Sequence, residues 1–173
     1  MLNYSTRTFP TQVWLIAPAD SPLQPIKPSK DLEEDIKAVK KLLSGKTALD
    51  MPNTCLDATL YNLEAEGLTP VHFTGGLNDL APALMDGKAD LLLLDVADAL
   101  VALDKWPEKI KVIGPLSERQ TMGVGFAKSS PELLKAFNEF FATIVENGTY
   151  QEMVKKYYPN VFVYYGDFFT NKQ

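Results

Sequence analysis

The segment 87–100, GKADLLLLDVADAL, constrains the fold more than any other part of the chain. Four consecutive leucines, Leu91–Leu94, suit a β-strand better than a surface helix. Successive strand side chains point to opposite faces, so a strand apolar at every position must be covered on both. Coverage on both faces is the mark of an α/β layer architecture. The strand is flanked by two carboxylates, Asp90 before it and Asp95 directly after. In open α/β sheets ligands gather beyond the carboxyl ends of the strands, which puts Asp95 at such an edge.

The remaining pattern agrees with that class. Residues 12–18 (QVWLIAP) read as a strand, and 19–29, with Pro22, Pro25 and Pro28, as a loop. Asp31 is an N-cap candidate for a helix with apolar residues at Leu32, Ile36, Val39, Leu42 and Leu43. Strands are expected at 46–51, 69–73, 89–95, 109–114 and 121–127. Helices are expected at 56–66, 77–85, 96–104 and 131–146, followed by TYQEMVKKYY and an aromatic tail over 160–173. Strands alternating with helices predict βαβ units and a mainly parallel sheet, with helices dominating the last third. The tail suits a packing strap, or an apolar patch for self-association.

Charge and cysteine usage narrow the partners. The formal net charge is −5 and no Lys/Arg stripe occurs, which argues against nucleic acid and anionic membranes. The single cysteine, Cys55, excludes an intrachain disulfide. The first residues, MLNYSTRTFPTQ, lack the basic and apolar regions of a signal peptide.

Several residues carry chemistry, each with a plainer alternative. In MPNTCLD a strand runs through Asn53 and Thr54 into the helix expected at 56–66. Its N–H groups would hold an anion, or Asn53 or Thr54 would simply cap it. Cys55 at the same point would be a nucleophile only with a base, and His72 is the one histidine. His72 would otherwise be a partly buried strand residue. Asp90, Asp95 and Asp98 lack the further ligands a metal needs, so neither a metal nor a cofactor is expected. Asp95 is either an N-cap or the counter-charge for a cationic group such as an α-ammonium. With Thr54 as donor and Asp95 as acceptor, the pair would match the two ends of a free amino acid.

The order of segments VWLIAPADSPLQPIKPSKDL, Gly45-Lys46 before a strand, GKADLLLLDVADAL and VIGPLSERQTMGVGFAKSSPELLKAFNEFFATIVENGTYQEMVKKYYP resembles the bacterial extracellular solute-binding proteins of the amino-acid type, family 3, over roughly residues 10–159. The resemblance implies a type II periplasmic-binding-protein-like lobe. It makes 1–17 an N-terminal segment with the first crossover strand, 18–120 the second-lobe α/β domain, and 121–173 the second crossover with helices returning to the first lobe. It places the ligand's amino group at Asp95 and the backbone contacts at Asn53, Thr54 and Cys55, where many members carry Gly-Thr or Gly-Ser. The N-terminal half of the first lobe, with its carboxylate-clamping arginine, is expected to be absent; Arg7 fits that arginine poorly.

The function implied is non-catalytic binding of a small amino-acid-like or carboxylate solute for an ABC-type transport system, in the periplasm or outside the cell. The partner would be a membrane permease, or a sensor if the chain belongs to a signalling protein. The alternatives are a ligand-sensing domain, a dehydratase or other lyase on the same fold, and an interaction module that has lost its ligand. Apolar surface on the C-terminal helices would favour a homodimer.

Overall fold

The computed structural model describes residues 2–170. The outermost residues of the expected segments, 1 and 171–173, lie outside the described residues. In chain order the strands and helices are β1 (Leu2–Tyr4), β2 (Phe9–Thr11), β3 (Val13–Pro18), α1 (Leu32–Lys40), β4 (Thr47–Asp50), β5 (Thr69–His72), α2 (Leu80–Met85), β6 (Leu91–Asp95), α3 (Val96–Lys105), β7 (Ile110–Pro115), β8 (Gln120–Met122), β9 (Gly125–Ala127), α4 (Pro131–Glu146), α5 (Thr149–Tyr157) and α6 (Val161–Thr170). The chain divides into two compact units, Gln12–Glu118 and Met1–Thr11 with Arg119–Gln173.

The first unit is built on a five-stranded sheet in the order β5-β4-β6-β3-β7. β4 runs parallel to β5 and β6, whereas β3 runs antiparallel to both its neighbours, β6 and β7. The expected mainly parallel sheet is therefore mixed. Four strands share one direction, as βαβ crossovers require. β3 enters ahead of those crossovers and inserts between β6 and β7 in the opposite sense. Strand β3 thus lies inside this unit, between β6 and the edge strand β7.

Leu91–Leu94 are each at most 2% exposed, so both faces of β6 are covered. Leu15, Ile16, Leu49, Leu80 and Leu84 complete the centre of the core. Asp31 caps α1, its Oδ1 accepting from the N–H groups of Glu33 (2.9 Å) and Glu34 (3.4 Å). α1 packs on β7. Gly114 permits that approach, since a Cβ there would lie 2.6 Å from Val39 Cγ2. Asp90, at the start of β6, accepts from the N–H (2.8 Å) and hydroxyl (2.9 Å) of Thr47, tying together the starts of neighbouring strands.

The second unit holds two antiparallel ribbons, β1–β9 and β2–β8, with α4, α5 and α6. Its interior is aromatic: Phe137 contacts Phe126 and stacks on Phe141, which meets Tyr150 edge-on at 4.9 Å. The aromatic tail packs as a strap: Phe169 reaches Phe9 and Tyr165 is 2% exposed. The Tyr150 hydroxyl donates to the Thr8 carbonyl, and burial pushes its pKa up to about 12. Leu133, Phe140, Tyr157 and Val163 remain exposed.

The helix expected over 56–66 does not form. Two short 3-10 turns, Ala58–Tyr61 and Glu64–Glu66, take its place. Asn62 stops the first in the left-handed region (φ 55°), which asparagine tolerates, and Gly67 (φ 84°) stops the second.

Candidate functional site

β4 and β6 are parallel neighbours, in register at Leu49 and Leu92. β4 ends one residue beyond Leu49, at Asp50, and β6 three residues beyond Leu92, at Asp95. Asp95 therefore extends past the end of β4, to the level of the turn that follows it. This edge unites the turn 51–57, the first 3-10 turn and the start of α3.

Asp95 is the N-cap of α3. Its backbone is extended (φ −67°, ψ 150°) and its Oδ1 accepts from the Ala97 N–H at 3.0 Å. The plainer reading of this residue is thus realised, with the half-buried carboxylate fixed at the sheet edge. Its charge is felt by its neighbours. Burial, and then Asp95, push up the pKa of Asp98, one helical turn on. Burial, then Asp95, with Asp98 adding less, raise the Cys55 thiol above its ordinary value. Burial, then Cys55, Asp95 and Asp57, push Tyr61 up to about 12. Burial and the Asp95 charge thus act in the same direction on all three neighbours, each disfavouring the deprotonated form.

The turn is closed by its own side chains. Asn53 stands at φ 63° and its N–H donates to Asp57 Oδ2 at 3.0 Å. Thr54 Oγ1 donates to the Met51 carbonyl (2.7 Å) and accepts from the Leu56 N–H (3.0 Å). The Thr54 and Asp57 N–H groups reach the carbonyls of Met51 and Thr54. Asp57, rather than Asn53 or Thr54, caps the 3-10 turn, its Oδ1 bonding Thr59. The bare helix N-terminus expected here is absent, because a four-residue 3-10 turn follows and the N–H groups of Met51, Asn53, Thr54, Leu56 and Asp57 are engaged within the turn. The Tyr61 hydroxyl donates to the Cys55 carbonyl at 2.5 Å, which fixes the far side of the turn.

The structure brings Cys55 and Asp95 into electrostatic reach of each other on one edge, with Asn53 and Thr54 in the same turn. His72 goes elsewhere. Its Nδ1 lies 2.7 Å from Oδ1 of Asp50, a carboxylate with no exposure, and not on Cys55. With the thiol pKa raised, the Cys55–His72 nucleophile pair does not exist. Asp50 and Tyr61 escaped sequence reasoning. Asp50 reads as the end of an ordinary strand, and Tyr61 lies within a helix that does not form. The signal for Asp50 is a carboxylate closing the apolar strand TALD, the same pattern that singles out Asp95.

Beside α3, Leu77, Asn78, Ala81, Asp98, Val101 and Trp106 line an open depression of about 380 Å³. Among the described residues no helix is long and apolar enough to cross a membrane, and no cluster of three or more His, Cys, Asp or Glu is arranged to hold a metal ion.

Residues 2–160 match the family of bacterial extracellular solute-binding proteins, family 3. The chain belongs to that family. Among curated relatives, the L-cystine-binding protein TcyJ of Escherichia coli (strain K12) is 33% identical over 72 residues, 42% of this chain and 27% of TcyJ. Membrane-bound lytic murein transglycosylase F of Desulfosudis oleivorans is 26% identical over 122 residues, 69% of this chain and 27% of that protein. Among solved structures, an ancestral arginine-binding protein bound to arginine superposes with a TM-score of 0.68 at 17% identity, covering 91% of this chain and 64% of the other. A structure from work on glutathione import through GshT and the cystine importer of Streptococcus mutans gives 0.68 at 21%, covering 91% and 63%. These likenesses show the type II periplasmic-binding-protein-like fold. The chain spans about a quarter of the length of the curated relatives it matches and under two thirds of these solved structures.

Proposed function

We propose that this chain is a solute-binding module for an amino acid, non-catalytic, acting with an ABC-type importer in the periplasm or outside the cell. The observation that carries this reading is Asp95: a half-buried carboxylate fixed at the carboxyl edge of the sheet, whose charge adds to burial in raising the pKa of Cys55, Tyr61 and Asp98. Such a place suits the α-ammonium of an amino acid, whose positive charge complements the carboxylate. Relatives named for cystine and arginine binding support the solute class. Thr54 and Cys55 form the opposite wall. The Thr54 hydroxyl proton is engaged with the Met51 carbonyl, so Thr54 offers a solute its remaining lone pair unless that bond breaks.

Binding needs no bond-making step. A solute that favours one conformation shifts the population toward it by the difference in its affinities for the two. The non-catalytic reading is supported by the raised thiol of Cys55 and the engagement of His72 with Asp50. A thermal-shift screen against amino acids and dicarboxylic acids tests the solute class. A rise confined to compounds with an α-ammonium supports the reading, and an equal rise with plain dicarboxylates overturns it.

The exposed apolar side chains Leu133, Phe140, Tyr157 and Val163 favour self-association as a second property of the isolated chain. Light scattering coupled to size-exclusion chromatography tests it, with Phe140→Ser expected to shift a dimer to monomer.

A further inference from the structure

We propose that the Asp50–His72 pair positions the turn 51–57, and that its grip on the turn follows the charge on His72. The proposal deepens the reading above, in which that turn forms one wall of the solute site.

The geometry is that of a clamp. Asp50 is the last residue of β4 and has no exposure. Its Oδ2 accepts from the Ala58 N–H at 3.1 Å, where the chain leaves the turn. Its carbonyl accepts from the Phe73 N–H at 2.9 Å, and its Oδ1 meets His72 Nδ1 at 2.7 Å on β5. One buried residue thus holds the entry and exit of the turn and the edge strand beside it. Everything between, including Asn53, Thr54 and Cys55, hangs on that closure. The turn's own bonds supplement it: the Met51 N–H donates to the Leu56 carbonyl at 3.2 Å, the Asn53 N–H to Asp57 Oδ2 and the Tyr61 hydroxyl to the Cys55 carbonyl.

The grip is sensitive because its outer partner is wet. The His72 side chain is 58% exposed, so solvent protons reach it directly. The charged groups facing it are Asp50 on β4, Asp57 in the turn and Glu64 in the second 3-10 turn, all acidic. Hydrogen bonding to Asp50, then the Asp50 charge, hold His72 protonated above its ordinary range. As an imidazolium it gives the buried carboxylate a charge-assisted bond. As a neutral ring it retains a single N–H bond and no charge.

Amide exchange and thiol labelling on the full chain test the clamp without any solute. In the wild type the protection of the Ala58 amide, relative to its intrinsic rate, should fall about two- to fivefold from about pH 5.5 to about pH 8.5, the scale of an ion pair with one exposed partner. Alkylation of Cys55 by iodoacetamide, corrected for thiolate fraction, should rise by a similar factor. His72→Gln keeps a side-chain N–H but no titrating charge, and should show neither trend. Asp50→Ala, which removes the acceptor, should lose most Ala58 protection at every pH; if it fails to fold, the His72→Gln profile alone decides. A His72→Gln profile parallel to the wild type overturns the clamp. L-arginine titrations separate the two readings: binding with flat profiles removes the clamp alone. A His72-dependent profile without binding of L-arginine or any other amino acid removes the solute reading alone.

Discussion

Asp50 and Asp95 end neighbouring parallel strands, yet the structure uses them differently. Asp50 is fully enclosed, and both its carboxylate oxygens meet protein donors, Ala58 N–H and His72. Asp95 is half-buried, caps α3 with one oxygen, and spreads its charge over Asp98, Cys55 and Tyr61. Chain position and residue type are the same; burial separates them. A carboxylate removed from water needs partners inside the protein, whereas one left at the rim can meet an arriving charge. Asp90, at the other end of β6, is a third case, engaged by Thr47 at the strand's start.

The difference can be broken by substitution. The largest loss is expected from beneath both residues: Leu92→Ala should cost about 2–5 kcal/mol in denaturant unfolding, because the site is fully buried. A cost under about 1 kcal/mol would show that the core relaxes around it. Asp50→Ala should cost about 1–3 kcal/mol by the same measurement, since it strands the buried Ala58 N–H. Asp95→Ala should cost only about 1 kcal/mol, the price of a helix cap. Asp95→Asn sharpens the contrast, because asparagine also caps helices. Its stability should match the wild type within about 0.5 kcal/mol, while its response to amino acids should vanish.

Two smaller effects depend on pH. The folded pKa of His72 lies above the ordinary 6.5. Its stabilisation is therefore complete below that value and is lost as pH rises through the folded pKa, a slope His72→Gln should remove from a melting-temperature profile. Asp90 is held below 3.8 by the N–H and then the hydroxyl of Thr47. Its contribution is present above 3.8 and is lost as pH falls through the lower folded value, so Thr47→Val should flatten the acid limb.

Local signals were readable in proportion to their periodicity. The leucine strand, the Asp31 cap, α3 and the opening of α4 at Ser130-Pro131 follow from residue pattern alone. The edge position of Asp95 follows too, since a strand that runs directly into a helix must put its last residue there. The direction of β3 does not, because its apolar run VWLIA is compatible with either sense and only long-range pairing decides. The 56–66 segment misleads because LDATLYNLEAEG carries helical spacing, while Asn62 takes a left-handed conformation no spacing reveals. The Asp50–His72 contact joins residues 22 apart in sequence through parallel pairing, which a single sequence does not display.

The most direct measurement is isothermal titration of the chain with L-cystine and L-arginine, wild type against Asp95→Asn. The account predicts saturable binding of at least one of them by the wild type, lost in Asp95→Asn while the melting temperature in the absence of solute stays unchanged. At 100 times Kd that binding would add about 2.7 kcal/mol of stability, roughly 2–4 °C in Tm for a chain of this size. Binding that survives Asp95→Asn with equal affinity would contradict the account.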